Sequence, residues 1–216
     1  GLGAEIAAEC HRRDWRTIEV ASSFATAAVD GRHTFRCDLR HQSDVEALIA
    51  KLPGGASISR FFWVAGTWWE GELSDMSPEE MLRVIDVNFR NAMLVAAWAW
   101  TRMQIASWPT TYTVIGSTSG VRPRKHQEVY AATKHVQVGF ARSLGQSAES
   151  PSTRVSLFVL GGMRTHLFDQ KPPASYAEFM DPAKVATHIV RAVAEQRDPY
   201  LEQEISRDSA LGQSMR

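Results

Sequence analysis

Two hydrophobic rhythms take turns along this chain. Apolar residues recur at helical spacing in AEIAAECHRR (4–13), SDVEALIAKL (43–52), SPEEMLRVIDVNF (77–89), EVYAATKHVQVGFARSLGQ (128–146) and DPAKVATHIVRAVAEQ (181–196), which predicts helices. A further helix over 91–106 is apolar nearly all round, including Trp98 and Trp100, so it is expected to be buried on more than one side. Between these stretches lie short runs at 17–22, 33–37, 58–66, 111–117, 153–162 and 199–205 that read as strands. Local punctuation supports the boundaries. Ser77 precedes Pro78, and Asp181 precedes Pro182, each pair forming an N-cap with proline at the first helical position. Ser43 is the expected cap of the second helix, with Glu46 at capping-box spacing and Pro53-Gly54-Gly55 as its stop. The runs FFWVAG (61–66) and VSLFVLGG (155–162) are almost continuously apolar, as in strands covered on both faces. Strands alternating with helices predict an α/β domain spanning 1–216, with a parallel sheet and helices on both faces. The irregular stretch at 165–180 is long enough to form a lid.

Composition narrows the function classes. The 216 residues carry equal numbers of acidic and basic side chains, which argues against a nucleic-acid binder. The one basic cluster, Arg122, Arg124, Lys125 and His126, reads as a solvated loop rather than an anion site. No apolar run is long enough to span a bilayer, and no signal peptide is visible. Two cysteines, Cys10 and Cys37, give neither a disulfide framework nor a metal spacing; buried free thiols in a reducing cytoplasm are the simplest expectation. His126, His135 and His166 show no metal-ligand grouping.

The chemistry centres on Tyr130 and Lys134, four residues apart, with Ser117 thirteen positions upstream. On a helix, i and i+4 share a face. An ammonium beside a phenol favours the phenolate, and a phenol tuned toward neutrality can exchange a proton with a substrate oxygen. A hydroxyl at the end of the preceding strand would hold that same oxygen. Tyr-x-x-x-Lys is common by chance, so the rest of the chain must agree.

It does, in order. Gly1-Leu2-Gly3 opens a helix; Asp38 and Leu39 follow the strand at 33–37; Trp63-Val64-Ala65-Gly66 closes the strand at 58–66; Asn88 lies in DVNF; the Ser117, Tyr130 and Lys134 trio follows; and Leu160-Gly161-Gly162-Met163-Arg164-Thr165 ends the strand at 153–162. Together these motifs resemble the short-chain dehydrogenase/reductase family across essentially the whole chain. The resemblance implies a Rossmann-like, doubly wound sheet and an NAD(P)-dependent oxidoreductase acting on a secondary alcohol or ketone. Tyr130 would be the general acid/base. Lys134 would lower its pKa and bond the nicotinamide ribose. Ser117 would polarise the substrate oxygen, and Asn88 would hold a water behind Lys134. Cofactor contacts would come from Gly1, Leu2, Gly3, Ser22, Asp38, Leu39, Ala65, Gly66, Gly161, Gly162 and Thr165, with Tyr130 and Lys134. No metal is implied. Trp63 and Val64 stand where the family has two Asn, Gly116 where it has Ser, and Leu160 where it has Pro.

The family carries a first strand and T-G-x-x-x before its G-x-G, and this sequence opens after both. Either roughly ten to fifteen residues precede Gly1 in the native protein, or the chain is a truncated relative. Neither an acid nor an Arg stands at Ala21-Ser22-Ser23, the end of the strand that chooses the cofactor; small hydroxyls there leave room for a 2′-phosphate, so NADP is preferred over NAD. Trp68, Trp69, Leu167 and Phe168 border the family's substrate side and imply an apolar or aromatic small-molecule substrate, beneath the 165–180 segment as a substrate-side lid. Family packing through the 91–106 and Tyr130 helices implies a homodimer or homotetramer. The competing reading is a non-catalytic binding or regulatory protein that keeps the scaffold but binds dinucleotide poorly.

Overall fold

The computed structural model describes residues 1–52, 58–148, 152–209 and 213–215. Its strands form two hydrogen-bonded groups. Strands β1 (Thr17–Ala21), β2 (Ala27–Val29) and β3 (Arg32–Arg36) lie in the order β1-β3-β2. Strands β4 (Arg60–Trp63), β5 (Thr110–Ser117), β6 (Thr153–Leu160) and β7 (Tyr200–Ile205) form an all-parallel sheet in that order. Among the described residues no ladder joins β1 to β4.

Helices cover both faces, as the alternation predicts. On one, α1 (Leu2–Arg12) and α6 (Pro182–Glu195) set Leu2, Ile6, Cys10, Ile189 and Val190 against Ile115, Phe158 and Leu160 of the central strands. On the other, α4 (Asn91–Gln104) and α5 (Glu128–Ser147) pack Ala96, Ala99, Met103, Val138 and Ala141 against Tyr112, Val114, Val155 and Leu157. The many alanines of α4 let its backbone approach the sheet. Trp98 and Trp100 join this side of the core. The Arg102 guanidinium lies over the Trp98 ring at 4.2 Å, and Trp100 meets Tyr112 edge-on at 5.5 Å. Helix α2 (Gln42–Lys51) buries Val45 and Leu48 beneath Val95 and Trp98.

The caps of α3 (Pro78–Ile85) and α6 form as predicted: Ser77 accepts from the Glu80 N–H and Asp181 from the Ala183 N–H. The cap of α2 does not. Its N-cap is His41, so Ser43 falls inside the helix, while Asp44 reaches out to accept the Asp38 N–H at 3.1 Å. The proposed stop at Pro53-Gly54-Gly55 lies outside the described residues.

Two features depart from a simple alternation. Between β1 and β3 the chain makes the antiparallel strand β2 rather than a helix, turning back at Asp30-Gly31 with φ of 44° and 79°. Asp-Gly is a residue pair that tolerates this left-handed turn. Strand β1 also turns its apolar side outward. Ile18 and Val20 are exposed, whereas Glu19 points inward to Thr17, His11 and Arg32.

Candidate active site

Helix α5 buries Tyr130, Ala131, Thr133, Lys134, Gln137 and Val138 at helical spacing, which puts the phenol and the amine on its sheet-facing side. Tyr130 and Lys134 are each 6% exposed. Lys134 Nζ lies 5.9 Å from the Tyr130 ring centre. Ser117, the last residue of β5, stands close enough to Tyr130 to pull its phenol toward lower pKa, and its oxygen accepts the Ser119 N–H at 3.1 Å. The trio predicted from spacing therefore meets in space.

The electrostatics differ from the expectation of an acidic tyrosine. Burial pushes the Tyr130 phenol above its usual value, with the Ser117 hydroxyl pulling the other way. Burial also lowers the Lys134 amine, to about 8. Each group has lost water, and desolvation acts against each charged form.

Asn88 is fully buried and its side chain is committed to holding the turn after β4. Its Oδ1 accepts the Thr67 N–H at 2.7 Å; its Nδ2 donates to the Thr67 carbonyl and to Thr133 Oγ1 at 2.9 and 3.0 Å. It lies in a π-turn, Asp86–Arg90, between α3 and α4. The resemblance implies a water held by Asn88 behind Lys134. In the structure the Gln137 side chain joins the two residues directly, accepting from Lys134 Nζ at 2.8 Å and donating to the Asn88 carbonyl at 2.6 Å. Gln137, Thr67 and Thr133 are absent from the sequence-derived site; a glutamine three residues beyond Lys134 on its buried face is the signal that points to the first.

Trp68 and Trp69 pack with Met76, Met81, Val84 and Val129 around Tyr130. The Trp69 indole N–H donates to Glu80 at 2.9 Å. Phe168 meets Trp68 edge-on at 5.1 Å and also touches Tyr176 and Phe179, so the 165–180 segment closes onto the turn after β4. Lys171 adds a hydrogen bond to the Glu70 carbonyl and a 3.6 Å ion pair to its carboxylate. Leu167 is half-buried, and its N–H bonds Thr165 Oγ1.

The positions assigned to a dinucleotide spread along the carboxyl ends of the strands. Gly1 and Thr165 line one cavity of about 260 Å³ with Glu5, Arg164, His166 and Asp169. The first turn of α1 has no side-chain cap, and Gly1 and Gly3 are exposed there, so its free N–H groups face outward. The Leu2 side chain is in the core, which leaves only its backbone for a ligand. Ala65 and Gly66 are exposed, and a β-carbon on Gly66 would lie 3.4 Å from both Lys134 Nζ and Asn88 Oδ1. Ser22 is exposed just beyond β1. Asp38 is held by a bidentate Arg40, which keeps its carboxyl near 2, and the Leu39 carbonyl accepts from Asn91. Gly161 pairs with Ile205 and Gly162 with Met180 through the backbone. Of these positions Gly1, Gly3, Ala65, Gly66 and Ser22 are open to a ligand, whereas Asp38 and the Leu39 carbonyl are already engaged. A larger concavity, about 750 Å³, is walled by Trp15, Phe24, Val29 and Arg32 and holds none of these residues.

Three of the four residues of the basic cluster are engaged locally: Arg122 pairs with Glu204, Arg124 donates to Thr118, and His126 lies 3.1 Å from Glu72. Arg164 donates to the Phe179 carbonyl. Among the described residues no helix is long and apolar enough to cross a membrane, and no group of three His, Cys, Asp or Glu could hold a metal ion.

Comparison with known proteins gives the family and the fold. Mouse 3-oxoacyl-[acyl-carrier-protein] reductase is 26% identical over 174 residues, 77% of this chain and 73% of the relative. Tetrahydroxynaphthalene reductase of Pyricularia oryzae is 24% identical over 183 residues, 78% of this chain and 62% of that protein. Among solved structures, ElxO with NADP bound superposes with a TM-score of 0.79 at 16% identity, covering 96% of this chain and 93% of that one. A 4-hydroxyisoleucine dehydrogenase complexed with NADH gives 0.80 at 18% identity, covering 95% and 92%. The family model for short chain dehydrogenases matches residues 1–175, and with the Ser117, Tyr130 and Lys134 cluster beside a Rossmann-type sheet, the chain belongs to the short-chain dehydrogenase family.

Proposed function

We propose that this protein is an NAD(P)-dependent oxidoreductase that interconverts a secondary alcohol and a ketone, with Tyr130 as the acid/base. The observation that carries the reading is the buried pair of Tyr130 and Lys134, with the amine 5.9 Å from the ring centre and Ser117 at the strand end beside the phenol. In reduction, Tyr130 gives its proton to the substrate oxygen, Ser117 orients that oxygen, and Lys134 stabilises the phenolate left behind. A bound nicotinamide supplies the hydride.

The finer assignments follow from the same site. The α1 terminus with Gly1, Gly3 and Thr165 would receive the phosphates, and Ala65, Gly66, Gly161 and Gly162 would let backbone approach the cofactor. Exposed Ser22, with no carboxylate at the end of β1, favours NADP over NAD. Trp68, Trp69 and Phe168 form an apolar wall suited to an aromatic or extended apolar ketone, beneath the 165–180 lid. The relative named for tetrahydroxynaphthalene supports an aromatic substrate. Exposed Leu94 on α4 and Val136 on α5 favour a homodimer or homotetramer built through those helices.

The test is titration with NADPH and NADH, read by quenching of the seven tryptophans, followed by assay against small aromatic ketones. Saturable quenching with turnover is expected. Tyr130→Phe should cut turnover by about 10²–10⁴-fold and leave cofactor affinity unchanged. Turnover at the wild-type rate would overturn the acid/base assignment; no quenching by either cofactor would favour a non-catalytic binding protein.

A further inference from the structure

Gln137 is 0% exposed, although it carries a primary amide. Burying an amide is costly unless its polar atoms are matched. Here both ends are used. Oε1 accepts from Lys134 Nζ at 2.8 Å, and Nε2 donates to the Asn88 main-chain carbonyl at 2.6 Å. An ammonium only donates and a carbonyl only accepts, so the amide fits in one orientation. Position i+3 on α5 puts Gln137 on the same face as Lys134. The acceptor beyond it belongs to a π-turn, where the ordinary helical ladder is displaced. The Asn88 side chain is engaged by Thr67 and Thr133, so only its main-chain carbonyl takes part in this bridge.

We propose that Gln137 is a positioning residue that locks the Lys134 ammonium beside Tyr130 by bridging it to the Asn88 carbonyl. The proposal rests on the oxidoreductase reading above. A neutral amide that donates and accepts at once fixes a charge without passing a proton along. Lys134 therefore acts as an anchored cation beside Tyr130. The amide oxygen also favours the charged amine, opposing the burial that lowers it.

Three variants test this. Gln137→Leu removes the acceptor at similar size, Gln137→Glu restores it, and Gln137→Asn is too short to reach both partners and serves if the Leu variant does not fold. Measured are kcat and KM for reduction of an aromatic ketone across pH, cofactor affinity by fluorescence, and the ¹⁵Nζ titration of Lys134, assigned by its loss in Lys134→Met. Gln137→Leu, or Gln137→Asn in its place, should lower kcat about tenfold or more with KM within about twofold, and move the alkaline limb of the profile to lower pH. Gln137→Glu should bring that limb back to the wild-type position or above. A wild-type limb in Gln137→Leu, or equal loss in the Leu and Glu variants, would reduce Gln137 to packing and overturn the proposal. Absence of turnover in the wild-type protein would instead sink the oxidoreductase reading. The clamp then stands or falls on whether Lys134 titrates at lower pH in Gln137→Leu than in the wild type.

Discussion

Gly120 presses its backbone against Lys134: a β-carbon on Gly120 would lie 2.5 Å from the Lys134 carbonyl oxygen and 2.8 Å from its carbon. Both partners are main chain, so neither can swing aside. This contact sets the spacing between the turn after β5 and α5, and hence between Ser117 and Tyr130. Gly120→Ala should destabilise the protein by about 1–3 kcal/mol and lower turnover. Gly139 is the control. It is exposed on the same helix, with nothing within 4 Å of its would-be β-carbon, so Gly139→Ala should stabilise by about 0.5–1 kcal/mol. Thermal unfolding by circular dichroism distinguishes the two; shifts of the same sign would contradict the contact.

Lys134 gives the stability a pH signature. Its amine titrates near 8 when folded, against 10.5 for a free lysine. Between those values the unfolded chain holds a proton that the folded chain has released, so the unfolded state binds more protons and stability rises with pH. Below about pH 8 both states are protonated and the burial cost is fully felt. Lys134→Met removes this dependence. The stability gap between variant and wild type, from urea titrations at pH 7.5 and 10, should narrow at the higher pH; a constant gap would mean that the lysine is hydrated.

Phe168 touches Trp68, Tyr176 and Phe179, which makes it the hub of the contacts that hold 165–180 against the turn after β4. Phe168→Ala should leave the global unfolding midpoint nearly unchanged while speeding amide exchange across 165–180. KM for an aromatic ketone should rise several-fold, with a smaller change in kcat. Unchanged exchange in that segment would show that Lys171 and Glu70 hold it alone.

Cys10 and Cys37 are 5% and 2% exposed, and burial pushes both thiols up to about 11. The thiolate is the reactive form, so neither should react measurably with iodoacetamide at pH 7.5 in the native protein, and both should react once urea unfolds it. Rapid native labelling, followed by mass spectrometry, would identify a cysteine that the fold does not protect.

Local chemistry was the legible part of this molecule. The Ser77-Pro78 and Asp181-Pro182 starts are legible because a cap and its proline act within one turn, and Tyr130 and Lys134 are legible because helical spacing alone aligns them. What depends on distant parts of the chain is not. His41 displaces Ser43 as a cap, and Asp44 is occupied by the Asp38 N–H across the bend between β3 and α2. The direction of the Tyr130 shift follows from burial among Trp68, Trp69 and Met76, which neighbouring residues do not encode. Strand β2 carries its signature in Asp30-Gly31, but its own residues are all exposed and give no alternating pattern. Trp63 replaces a polar family residue and becomes core, edge-on to Phe140 at 5.9 Å. Gln137 is visible in sequence only as a polar residue on a buried face; its two partners come from its own helix and from a π-turn 49 positions away.

The stacking of Arg60 on Trp15 at 3.9 Å has a mechanical consequence. With Cys37, Val45 and Leu48 wedged beneath Val95 and Trp98, it ties the hairpin half of the molecule to the half that carries Ser117 and Tyr130, so strain in one is carried into the other.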